Sequence, residues 1–264
     1  YGRHQNDGYP GGSHSTQLLT EAIAAADDDI DFSLYDSNND GYTDIVYILY
    51  AGASRNLSGD DNDFHASCYS GMYINTKDGK TVNVIGGTSE LAASIAQTGD
   101  PLRAGIGVFC HEMSHGLGMP DLYWTKASAP KDADGLTDYN NCGPEDRDLM
   151  DGGENLYNGI WPCQYTAWER DIMGWMELEE LSEPADITIY PLNKENGKAY
   201  RITNPDNEYE YYVLENTPTD EWNQYLSNQY GTGLMITHVN ASPSGFTMTP
   251  NNTYGTPNIT IIPA

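Results

Sequence analysis

The chain has 264 residues, enough for one large domain or for a domain with a small satellite. With 38% hydrophobic residues it can bury a core, and 12 basic against 39 acidic residues give a formal charge of −27. That balance repels phosphate backbones and excludes nucleic acid as a natural partner. No run of 18 apolar residues occurs, so no membrane-spanning helix is expected.

The excess of carboxylates suits solubility outside the cell, or bound divalent cations. The start at YGRHQNDGYP reads as a trimmed or processed mature form, with a propeptide absent. Cys68, Cys110, Cys142 and Cys163 contain no CxxC spacing, which argues against a cysteine zinc knot. Three full pairings are open to them. Cys142 and Cys163 flank one loop and are candidates to pair; free thiols are the alternative.

In chain order, Gln17 to Ala26 predicts a helix with Leu18, Leu19 and Ile23 on one side. Asp44 to Gly52 (DIVYILYAG) is apolar on both faces and predicts a buried central strand. TVNVIGG follows as a second strand, and SELAASIAQTGD as a short helix or turn. Asp100 and Pro101 suit the N-cap and first position of a helix carrying Leu102, Ile106, Phe109, Cys110, Met113 and Leu117 as its stripe. Gly116 or Gly118 should end it, with Pro120 beyond.

A further helix is expected in YTAWERDIMGWM, ending near Gly174. From about Leu181 the texture changes to short β-branched runs, ADITIYPL, KAYRITN, EYYVLEN and GLMITHV, separated by Asn, Pro and Gly. The division expected is therefore one part over residues 1–180 and a β-rich part over 181–264. Sequons stand at Asn56, Asn240, Asn251 and Asn258.

The chemistry concentrates in VFCHEMSHGLGMPDLY, Val108 to Tyr123. Residues four apart share a helix face, so His111 and His115 can both reach one cation. Glu112 then lies beside the coordination position that a catalytic zinc leaves for water, and can take its proton. Two histidines on a helix are by themselves commonplace. The continuation distinguishes this case: Gly118 lets the chain turn out of the helix, and the turn can return Asp121 to the metal as a third ligand. RDLMDGG offers Met150 in a tight turn of the kind that underlies the metal in extended zincins; an ordinary core methionine is the alternative.

DSNNDGYTD places Asp36, Asn38, Asp40, the Tyr42 carbonyl and Asp44 at positions one, three, five, seven and nine of a calcium-type loop, with Gly41 at six. Position twelve is Tyr47 and no helix follows, so an ordinary EF-hand is excluded. The alternative is a solvated turn. DADGLTD, Asp132 to Asp138, is a similar but incomplete run.

HEMSHGLGMPDLY, DLMDGG, WPCQYTAWERDIMGW and EYYVLEN with GLMITHVN together resemble the immune inhibitor A-like zinc metallopeptidases, secreted bacterial enzymes of metzincin type. The resemblance runs from about Asp29 to the C-terminus. It implies an α/β (α+β) catalytic domain with a twisted mixed sheet and a long active-site helix, the β-rich part belonging with the catalytic unit. It also implies Zn2+ on His111, His115 and Asp121, Glu112 as general base, and a protein or peptide substrate outside the cell.

Calcium as a second ion and a monomeric state complete the expectation. His65, in DFHASCYS, stands where the family often has a Trp-His pair. Tyr157 is a candidate transition-state tyrosine, although its spacing from Met150 departs from the usual pattern. Two readings compete: a non-catalytic, metal-stabilised surface module for glycoproteins or carbohydrate, and a calcium-stabilised adhesion protein that has lost activity. Glu112 is out of place in both.

Overall fold

The computed structural model describes residues 15–93, 102–126, 143–220, 222–242, 247–253 and 255–262. The chain divides into two compact units, residues 1–118 and 119–264. Asp100, Pro101, Cys142 and the Asp132–Asp138 run lie outside the described residues.

In unit 1, helix α1 (Ser15–Ala26) covers one face of a mixed sheet. Leu19 and Ile23 from α1, Phe32 from a short 3-10 turn, and Val82 and Ile85 from the sheet form the buried core. The longest strand, β4 (Thr81–Ala93), organises everything else. It pairs in parallel with β1 (Tyr42–Thr43) and β2 (Val46–Ala53), and antiparallel with β3 (Ser67–Asn75) and β5 (Leu102–Arg103). The DIVYILYAG run is thus a strand, as predicted, but an outer neighbour of β4.

Three expectations are corrected here. Ser89 to Ala93, predicted as a helix or turn, continues β4, because β2 and β5 both offer it ladder partners. Leu102 and Arg103, predicted as helix, are strand β5 for the same reason. After the short helix α2 (Arg55–Ser58), the helix that carries His111 and His115, α3, therefore begins at Gly107 and ends at Gly116.

A close approach fixes α3 over this sheet. A Cβ on Gly86 would collide with the Tyr47 ring, so glycine there leaves the ring room to lie across the strand. The same ring packs edge-on against Phe109 of α3 at 4.5 Å between centroids. At the other end of the helix, a Cβ on Gly116 would stand 3.0 Å from Ile45 Cδ1.

Unit 2 is built on a second sheet of order β10-β9-β8-β7-β6. Its strands are β6 (Glu179–Glu180), β7 (Tyr200–Asn204), β8 (Asn207–Thr217), β9 (Gly233–Asn240) and β10 (Ile259–Ile261). All neighbours are antiparallel except β6 and β7. KAYRITN, EYYVLEN and GLMITHV supply β7, β8 and β9 as expected. ADITIYPL forms no ladder; only Pro191 bridges to Asn216.

Helix α4 (Ala167–Ile172) lies on this sheet through Trp168, whose Nε1 donates to Tyr211 Oη at 3.2 Å. Trp168, Val213 and Val239 share a core with Met119, Leu122 and Met150. The sequon at Asn251 is not a surface feature. Its side chain is fully buried, donating to the carbonyls of Leu122 and Ile259 at 2.7 Å and accepting from Ile259 N–H at 2.9 Å.

Candidate metal centre

The sequence of α3 puts His111 and His115 one turn apart, and their rings stand 4.8 Å apart at right angles. Two further features set the backbone that follows. The N–H of Gly118 returns to the His115 carbonyl at 3.0 Å, and Gly118 itself takes φ +100°, a left-handed conformation that a side chain would strain. Nothing lies within 4 Å of the Cβ it lacks, so conformation rather than crowding requires glycine there.

Beyond the turn, Met119 and Leu122 are fully buried on either side of Asp121. Asp121 N–H donates to the Met248 carbonyl at 2.9 Å, and Leu122 N–H to the Met150 carbonyl at 2.8 Å. Met150 belongs to the same core as Met119 and Leu122. The turn that contains it thus braces the backbone from which Asp121 projects.

The ligand-bearing atoms of His111, His115 and Asp121 all lie within 4.8 Å of one another. Two imidazole nitrogens and a carboxylate oxygen are a donor set that zinc accepts, at about 2.0–2.2 Å from each. Among the described residues no other three His, Cys, Asp or Glu side chains converge this closely. Were all three to bind one zinc ion, a fourth position would remain for water, as in catalytic sites.

Glu112, adjacent to His111, is buried with it. Its charge is felt by two tyrosines and a cysteine. Burial and the nearby Glu112 charge push the hydroxyls of Tyr47 and Tyr50 far above the usual tyrosine range, and lift the Cys68 thiol to about 11. Burial likewise raises the Cys110 thiol. Cys68, Cys110 and Cys163 are free thiols.

The remaining predicted residues make contacts of their own. Tyr157 sits at φ +50° in a turn, half exposed, stacked on Trp161 at 5.2 Å and against Tyr225 at 4.9 Å. His65 points Nδ1 at the Ala66 carbonyl at 2.6 Å, and burial pushes its pKa down. In the Asp36–Asp44 loop, buried Asp36 accepts the N–H groups of Asp40 and Gly41, each at 3.0 Å. Lys80 Nζ bonds Asp36 Oδ2 at 2.5 Å and holds that carboxyl below its usual range. Asn38 and Tyr42 N–H both reach Asp40, and Asp44 accepts from Ser37 Oγ at 3.1 Å. A lysine therefore already supplies positive charge at the first position of this loop.

Sequence reasoning missed the carboxyl groups buried beside Met150. Asp148, Glu169 and Glu215 are each at most 3% exposed. A signal existed: Thr166-x-x-Glu169 is a capping box at the start of α4, with both reciprocal bonds formed. Nothing local marks Asp148 or Glu215.

No curated protein matches the chain. The family model for the immune inhibitor A peptidase M6 catalytic domain matches residues 3–139, just over half of the 264, and that span contains His111, Glu112, His115 and Asp121. The mixed α/β architecture agrees with a metzincin-like peptidase domain. The chain belongs to the immune inhibitor A peptidase M6 family.

Proposed function

We propose that this peptidase is a zinc-dependent endopeptidase of extracellular proteins, secreted by a bacterium, with His111, His115 and Asp121 as metal ligands and Glu112 as general base. The observation that carries the reading is the convergence of those three side chains on one point, next to a buried glutamate. When bound there, zinc supplies Lewis acidity toward the scissile carbonyl and lowers the pKa of the attacking water.

The chain's own residues do the rest. Glu112 takes the proton of the water as it attacks, and gives it to the leaving amine as the C–N bond breaks. The neutral hydroxyls of Tyr47 and Tyr50 and the thiol of Cys68 leave Glu112 without a competing charge among them. The Met150 carbonyl and the Met248 carbonyl hold the backbone on either side of the third ligand.

A non-catalytic module for glycoprotein or carbohydrate is the second reading, favoured only by the exposed Tyr157 stacked against Trp161. Zinc content and casein cleavage, before and after chelation, separate the two. The peptidase reading expects one zinc per chain, cleavage that stops on chelation, and recovery when zinc is restored. Glycoprotein binding without cleavage by the zinc-loaded protein supports the module instead.

A further inference from the structure

The turn that carries Met150 is surrounded by carboxyl groups for which the proposed chemistry has no use. Asp148 is 1% exposed and Glu169 wholly enclosed. Asp148 Oδ1 accepts the Met150 N–H at 2.8 Å, inside the turn itself. Glu169, on α4, directs Oε2 to the N–H of Thr166 at 2.6 Å and to its hydroxyl at 3.0 Å. Its other oxygen, Oε1, is buried and has no hydrogen-bond donor. The Asp148 carboxyl group acts on that of Glu169 both through its charge and as a side-chain hydrogen-bond partner.

Other charges face the same place. Asp151 follows in the turn, Cys163 comes from the loop after it, and Glu215 enters from β8 with Oε2 on the Ala167 N–H at 2.7 Å. Arg170 acts on Glu215, and its Nε and Nη2 donate to Tyr165 O and Gln164 Oε1. Two ionised carboxylates are acceptors only, so they form no bond with each other, and two like charges sharing a dry site do not both stay ionised. A carboxylate oxygen left bare at this depth costs roughly 1–3 kcal/mol or more. A proton on Oε1 removes both difficulties, because it makes that oxygen a donor. Glu169 is the natural carrier: both of its accepted bonds fall on Oε2, as for the carbonyl oxygen of an acid.

We propose that Glu169 is a neutral carboxylic acid whose Oε1–H donates to the Asp148 carboxylate, and that this shared proton ties the Met150 turn to helix α4. Burial first, and Asp148 second, push Glu169 well above the usual carboxyl range, and burial lifts Asp151 and Glu215 to about 7. Among the described residues no third His, Cys, Asp or Glu joins the pair as closely as His111, His115 and Asp121 lie to one another, and the neutralising charge is assigned to a proton.

The consequence is an alkaline release. A group whose pKa is raised by folding contributes its full stability below its ordinary range, and that contribution is lost as pH rises through the raised value. Loss of this proton sets two negative charges face to face and frees the turn. The Met150 carbonyl that holds Leu122, beside Asp121, then loosens. The effect on cleavage rests on the zinc reading above; the effect on the fold does not.

Glu169→Gln tests it, because the amide puts a non-titrating N–H where the acid has O–H. The expected result is a melting temperature equal to the parent's at about pH 5 and higher than the parent's at about pH 9. The infrared difference between parent and variant should contain the carbonyl band of a protonated carboxylic acid. A missing band, an unchanged alkaline loss, or a stoichiometric calcium ion that only the parent holds would overturn the proposal. Should Glu169→Gln fail to fold, Asp148→Asn makes the same test with the donor on the other side. An Asp148→Asn protein that keeps the parent's alkaline loss also overturns it. Melting and infrared readouts need no activity, so failure of the zinc reading leaves them intact.

Discussion

At the scale of single residues, the proposed third ligand, Asp121, depends on a glycine. Gly118 adopts φ +100°, which L side chains avoid at a cost of roughly 1–2 kcal/mol. With open space around its missing Cβ, Gly118→Ala pays only this conformational cost. The expected outcome is a folding stability lower by that amount, with weaker metal retention because Asp121 follows three residues later. A calorimetric scan and a zinc-competition titration measure the two effects. Unchanged zinc affinity in the variant would show that Asp121 is placed independently of the turn.

The same scale shows why the site was legible in sequence. His111, Glu112, His115, Gly118 and Asp121 fall within eleven residues, so helix periodicity and one turn preference are enough to relate them. Glu169 and Asp148 are 21 positions apart and become neighbours only through packing of α4. Periodicity says nothing about such a pair.

At the scale of elements, long polar-apolar runs were read correctly and their ends were not. β2, β7, β8, β9 and α1 follow from local pattern. Strand β3 escaped notice because its register shifts between Ser70 and Ile74, where Gly71 and Tyr73 both take positive φ and break the alternation. The front of α3 was misread because Leu102 and Arg103 have the right apolar and charged character for a helix, yet β4 offers them a ladder. At the front of α3, tertiary pairing overrides propensity.

The close fit of α3 to its sheet also belongs to this scale. Gly86→Ala drives a methyl group into the Tyr47 ring, which packs against Phe109 of the active-site helix. Overpacking of this kind costs about 1–3 kcal/mol. Chemical denaturation should show that loss. A cost near zero would mean that Tyr47 has room to move aside.

At the scale of the molecule, the formal charge of −27 makes stability sensitive to solution conditions. Asp151 and Glu215 carry pKa values raised by burial to about 7. Both hold their protons more tightly folded than unfolded. Their contribution is therefore complete below the ordinary carboxyl range, about pH 4, and is lost as pH rises through 7. Thermal melts across that window, at constant ionic strength, should fall in temperature toward neutrality. Melts that rise steadily over the same range would contradict the buried placement of these groups.

The central claim is that Glu112 acts on a water at the point where His111, His115 and Asp121 meet. The most direct measurement is zinc content and casein cleavage of Glu112→Gln beside the parent. The account predicts that the variant binds zinc as fully as the parent and loses at least about a hundredfold in cleavage. Full zinc with undiminished cleavage would contradict it.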